Sequence, residues 1–151
     1  MEREYPAAPL VGVAAVVVRG DEILLVRRGR EPLRGMWSLP GGLLELGETT
    51  ADGVAREVLE ETGVRVQPVE IVATIDRIIR DDDGRVRYHY VLVEWLCFVE
   101  PDYTGALVCG DDADEAVWVK RSEISSVKFG LVEPTLGVIE RALKLAEKMG
   151  Q

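Results

Sequence analysis

The sequence predicts an α/β fold, an α/β/α sandwich in which a mixed β-sheet is flanked by helices. Three observations predict it. Apolar, β-branched runs at 11–19, 22–28, 66–80 and 86–100 read as strands. Apolar residues recur at helical spacing after residue 50 and again from 134 to 149. The length of 151 residues suits one domain, 1–151, built on one core, and no repeat, low-complexity tract or linker divides it.

Val11 to Arg19 is a valine-rich strand, and Gly20-Asp21 turns the chain into a second strand, Glu22 to Arg28. Residues 29–35 form a polar loop. Trp37-Ser38-Leu39 is a short strand, and Pro40-Gly41-Gly42 ends it in a sharp turn. In the first helix, Thr49 or Thr50 is the N-cap and Gly63 the residue that ends it. Ala51, Val54, Ala55, Val58 and Thr62 make its apolar face, which sends Glu57, Glu60 and Glu61 to the other side, toward one edge. Gly53 in mid-helix costs about 1 kcal/mol against alanine and is compatible with close packing on a strand.

Val66 to Arg80 is apolar and β-branched but broken by Pro68, and Asp82-Asp83-Gly84-Arg85 is a hairpin turn. Val86 to Glu100 turns apolar on both faces toward its end, as a central strand does. A loop follows from Pro101 to Ala113, then a short strand from Ala116 to Lys120. Pro134 to Met149 is the last helix, with Leu136, Ile139, Leu143, Ala146 and Met149 in register and proline in its opening turn.

Hydrophobic residues make up 47% of the chain and the mean hydropathy is +0.05, values of a packed protein rather than a disordered one. No apolar run approaches the ~20 residues needed to cross a bilayer, and MEREYPAAPL has no secretory pattern. Cys97 and Cys109 lack CxxC spacing and histidine neighbours, which argues against zinc and for reduced thiols in the cytoplasm. The net charge of −9 repels nucleic acid polymers, because that binding rests on Lys and Arg neutralising phosphates. A small phosphorylated compound chelated to a metal stays compatible with it.

The most informative stretch is GLLELGETTADGVAREVLEETGV, residues 42–64. It gathers Glu45, Glu48, Asp52, Glu57, Glu60 and Glu61 around one arginine, Arg56. Glu57 and Glu61 sit at i,i+4, where like charges repel, so the cluster weakens an isolated helix and points to a cation. Hard divalent cations prefer such oxygens and keep positions free for phosphates.

Gly42, Glu48 and the run Arg56-Glu57-Val58-Leu59-Glu60-Glu61-Thr62-Gly63-Val64 resemble the Nudix box position for position. Pro40-Gly41 before it and Trp118 after it also look like that family. The resemblance implies a Nudix-type sandwich and a hydrolase using Mg²⁺ or Mn²⁺. It makes Glu60 and Glu61 the principal metal ligands and Glu57 a ligand or the base that activates water. Glu48 and a carbonyl at Gly41 complete the metal set, and Arg56 orients carboxylates through Glu48 or Glu60. A further acid often comes from a loop in this family; Asp112, Asp114 and Glu115 are the candidates, Asp112 and Glu115 first.

Outside the box, Arg27 and Arg28 are candidates for substrate phosphate, against a solvated strand end. Trp37 is a candidate to stack on a base, though packing is its commoner use. Alternation puts Tyr88 and Tyr90 on one face and His89 on the other, with packing the default for all three. Arg77, Arg80, Arg85 and Arg87 crowd the hairpin, where salt bridges to Asp81, Asp82 and Asp83 are the plainest account.

The expected partner is a small nucleoside diphosphate compound, ADP-ribose ahead of an oxidised nucleoside triphosphate. A membrane and a nucleic acid polymer are not expected, and a homodimer is left open. A catalytically silent ligand-sensing module is the competing class. It is disfavoured because such modules usually lose box carboxylates and this chain keeps them.

Overall fold

Along its first strand, β1 (Leu10–Arg19), the chain is apolar on both faces, and both are used. Val13, Ala15 and Val17 face one helix, while Val16 and Val18 face the other. Strands buried on both sides read as continuous apolar runs for this reason. The computed structural model describes residues 2–103, 106–110 and 113–151.

The order continues through β2 (Glu22–Arg28), β3 (Trp37–Ser38), β4 (Gly41–Leu43), α1 (Thr50–Thr62), β5 (Val66–Arg80), β6 (Val86–Val99), β7 (Ala113–Lys120) and α2 (Thr135–Lys148). Among the described residues the strands form one mixed sheet in the order β3-β2-β1-β6-β5, with β4 also on β1 and β7 on β2. Among the described residues only β1 and β6 run parallel, from Leu10↔Tyr90 to Val18↔Phe98. The long strand β6 is therefore interior, as its apolar sequence predicts.

On one face, α1 buries Val54 and Val58 against Val13, Val17, Leu24 and Cys97. On the other, Val138, Ile139, Ala142 and Leu143 of α2 pack on Val16, Ile23, Leu25 and Leu96. Strand β5 lies at the sheet edge, where Pro68 is tolerated beside a bulge and leaves the strand unbroken. A second bulge spares the carbonyl of Val72, which accepts a hydrogen bond from Arg141 of α2 at 3.1 Å.

Three expectations are corrected. Gly41 and Gly42 do not turn the chain. They form β4, paired as Ala14↔Gly41 and Val13↔Gly42, and neither has a positive φ. A Cβ on Gly41 would lie 2.8 Å from the Cα of Ala14, and one on Gly42 would lie 2.7 Å from Glu57 Oε1. The glycines let β4 slide between β1 and α1. Next, Asp114 and Glu115 belong to β7 rather than a loop, because pairing with β2 already starts at Arg28↔Ala113. Finally, no ion pair joins the hairpin arginines to Asp81, Asp82 or Asp83 among the described residues. Arg87 pairs with Glu4 at 2.7 Å, Arg80 donates to the Gly84 carbonyl, and Asp81 accepts from Tyr5 and from the amides of Asp83 and Arg85.

Candidate active site

Helix α1 starts where Thr49 accepts from the Asp52 amide at 3.1 Å and stops where Gly63 takes φ 75°. Its C-terminal carbonyls are met by the segment between β6 and β7, through Val108 N to Thr62 O and Gly110 N to Glu61 O. Between these fixed ends the box side chains are organised by one residue, Arg56.

The Arg56 guanidinium forks onto Glu48, Nε to Oε2 at 2.7 Å and Nη2 to Oε1 at 3.0 Å. Its Nη1 donates to Glu57 at 3.0 Å and to Glu60 at 3.1 Å, and Nη2 also reaches the carbonyl of Leu43 at 3.1 Å. Glu45 stands 3.6 Å away. Arg56 thus engages both Glu48 and Glu60, and its neighbours hold it above its ordinary pKa, Glu48 first. In return the Arg56 bonds hold the Glu48 carboxyl below the usual carboxylate range.

The box acids differ in depth. The Glu48 and Glu57 side chains are 13% exposed and that of Glu60 is 40% exposed. Glu61 does not fall on the solvent side of α1: it is 5% exposed and accepts from the amide of Gly41 at 2.7 Å. The reason is its place on the same edge of the helix as Val54 and Val58, above β4. No group of three acids or other ligands is closed around one point among the described residues. The set nevertheless fits a hard divalent cation: two carboxylates, Glu57 and Glu60, are close enough to share one arginine nitrogen, and all the donors are oxygens.

The remaining candidates divide. Arg28 is half-buried and lines a cavity on the α2 face of the sheet, with Gly41, Gly42, Arg77, Tyr90 and Glu94. Burial, then the like charge of Arg77, lowers its pKa, while the carboxylate of Glu61 raises it. Arg27 instead pairs across strands with Glu115 at 3.8 Å, so this acid is held on the sheet rather than on a loop. Trp37 packs edge-on against Phe129, with centroids 5.2 Å apart at 87°. Tyr88 and Tyr90 share a buried face, as alternation predicts. Asp112 lies outside the described residues.

Sequence reasoning passed over Glu94 and assigned Arg77 to the hairpin. The signal for Glu94 was present: one carboxylate inside the apolar run VLVEWLCFV. It is 6% exposed, and burial pushes its pKa up to about 7 against the opposing effect of Arg77.

The NUDIX domain model matches residues 8–141. The chain is 31% identical to an ADP-ribose pyrophosphatase of Methanocaldococcus jannaschii over 80% of this chain and 68% of that protein. It is 48% identical to a MutT-like protein of Streptomyces ambofaciens over 52% of this chain and 50% of that one. Among solved structures, a MutT NUDIX hydrolase of Burkholderia pseudomallei superposes with a TM-score of 0.71 at 26% identity, covering 89% of this chain and 98% of that one. The chain thus spans half to about two thirds of these curated relatives. Among the described residues no helix is long and apolar enough to cross a membrane.

Proposed function

This chain belongs to the NUDIX family, and on that premise we propose that it hydrolyses the diphosphate linkage of ADP-ribose or a closely related nucleoside diphosphate compound. The observation that carries the reading is the Arg56 hub, which holds Glu48, Glu57 and Glu60 together above β4 while Glu61 is fixed to the Gly41 amide. Glu57, Glu60 and Glu61, with Glu48 and the Gly41 carbonyl, are the groups proposed to hold Mg²⁺ or Mn²⁺. A bound divalent ion supplies Lewis-acid polarisation of phosphoryl oxygens and lowers the pKa of water.

The chain's own residues do the rest. Arg56 keeps the carboxylates from repelling one another and fixes Glu48 by a two-point bond. Glu57, the least exposed acid on Arg56 Nη1, is proposed either as a ligand or as the base that takes a proton from the attacking water. Arg28 is proposed to receive a substrate phosphate; its support is that it lines the cavity beside Gly41 and Gly42 and interacts with Glu61. Asp112 and Glu115 are retained as proposed further acids, Glu115 with its carboxylate tied to Arg27. Support for ADP-ribose is the similarity to the archaeal pyrophosphatase.

The test is a panel of ADP-ribose, nucleotide sugars, dinucleoside polyphosphates and 8-oxo-dGTP with Mg²⁺, read by product identity. The expected result is AMP plus ribose 5-phosphate from ADP-ribose, with the highest kcat/KM. Preference for 8-oxo-dGTP would move the assignment to the triphosphate class. Binding of one ligand with no turnover of any would favour the sensor class.

A further inference from the structure

The last turn of α1 carries Glu60 and Glu61, and it contains no basic residue. Carboxylates at the negative end of a helix dipole destabilise it, and the carbonyls there have no partner within the helix. The Leu59 carbonyl is met by the amide of Gly63, the residue after the helix. Those of Glu61 and Thr62 are met from far along the chain, by the amides of Gly110 at 3.1 Å and Val108 at 3.0 Å. The turn that bears two box acids is thus closed by residues 106–110, which lie outside the box.

The fit is close on both sides. Gly110 passes so near Glu60 that a Cβ on it would overlap the Glu60 carbonyl oxygen, a backbone atom that no side-chain rotation moves. The Val108 side chain in turn occupies the space over Gly63, where a Cβ would lie 2.7 Å from Val108 Cγ2. The segment also has its own anchors. Leu107 and Tyr103 pack against the cluster that holds Val54 and Val58 of α1. Tyr103 Oη donates to the Ala106 carbonyl at 3.3 Å, and the amide of Ala113, the first residue of β7, donates to the Gly110 carbonyl at 3.2 Å. Between the two donors, Cys109 is exposed.

On the reading that Glu60 and Glu61 hold a divalent cation, we propose that segment 106–110 is a clamp that positions them, with Gly110 as its positioning residue. Held by the clamp, the last turn stays fixed over β4, where Glu61 meets the Gly41 amide. Without it, the helix dipole and the repulsion between Glu57 and Glu61, four residues apart, favour fraying of that turn, which carries the acids apart. A cation that binds the ordered turn must then also favour the closed clamp, because coupling between two sites is reciprocal. Val108 and Gly110 engage backbone carbonyls, so the coupling runs through the helix end rather than through a carboxylate.

The test pairs Mn²⁺ affinity with amide hydrogen exchange, so that turnover does not enter the readout. Free Mn²⁺ is measured by electron paramagnetic resonance in titrations of wild type, Gly110→Ala and Cys109→Ser. Gly110→Ala is expected to weaken Mn²⁺ binding by at least about fivefold, and Cys109→Ser, which keeps both amides, to leave it unchanged. In wild type, saturating Mg²⁺ should slow exchange at the Val108 and Gly110 amides by a similar factor. The amide of Gly84, bonded to Asp81 in the distant β5–β6 turn, should keep its rate. A Gly110→Ala variant with a lowered Tm but wild-type Mn²⁺ affinity would overturn the clamp alone. Exchange at Val108 and Gly110 that ignores Mg²⁺ would do the same, and that arm stands even if Gly110→Ala does not fold. A wild type that binds no Mn²⁺ would overturn the metal reading of the box, and the clamp with it.

Discussion

Arg56 decides how the acids of the box can coexist. Its guanidinium touches Glu48, Glu57, Glu60 and the Leu43 carbonyl, so removing it leaves carboxylates facing one another. We predict that Arg56→Ala lowers stability by about 2–4 kcal/mol in EDTA, and that Mg²⁺ restores more stability to the variant than to wild type. Chemical denaturation with and without the metal measures both; an equal loss in the two conditions contradicts the hub. Glu94 gives a separate prediction. Its folded pKa, about 7, stands above the usual carboxyl value of 4.5, so the folded state binds the proton more tightly. That stabilisation is complete below pH 4.5 and is lost as pH rises through 7. Glu94→Gln should remove a decline on the order of 3 kcal/mol between pH 5 and 8. A wild type and variant whose stabilities change in parallel with pH would show that Glu94 is not the group responsible.

At the scale of elements, β4 and α1 form the working unit, and the sequence disclosed its two parts unequally. The N-cap was legible to within one residue, Thr49 or Thr50, and Gly63 outright, because capping is local chemistry, satisfied within three or four residues. Gly41 and Gly42 were misread as a turn, because the atoms that forbid a side chain there belong to Val13, Ala14 and Glu57, distant in the chain. Glu61 was misplaced for a related reason: helical spacing fixes its azimuth but not what lies beneath it, which is the amide of Gly41. The two glycines should separate by experiment. Gly41→Ala drives a Cβ into the backbone of β1 and is expected to cost roughly 3 kcal/mol, seen as a lowered Tm. Gly42→Ala meets the carboxylate end of Glu57, which can rotate away, so the fold should survive while kcat falls at least about tenfold. A Gly42→Ala variant with wild-type kcat would refute the coupling of β4 to Glu57.

Across the whole molecule, the sandwich followed from patterning alone. The double-faced burial of β1 and the apolar stripes of α1 and α2 leave few other ways to bury this chain. The cavity on the α2 face was not legible, because it is lined by residues from β1, β2, β4, β5 and β6 that only the register brings together. The net charge of −9 also takes on meaning at this scale. An acidic surface disfavours phosphates everywhere, and the box concentrates that acidity where a divalent cation can reverse its sign. With such a cation, the box acids are proposed to cleave a diphosphate linkage. The most direct test is ADP-ribose turnover by wild type and Glu61→Gln, each in Mg²⁺ and in EDTA. Wild type is expected to yield AMP and ribose 5-phosphate in Mg²⁺ alone, and Glu61→Gln to be folded but inactive. Turnover that persists in EDTA, or a kcat near wild type in Glu61→Gln, would contradict it.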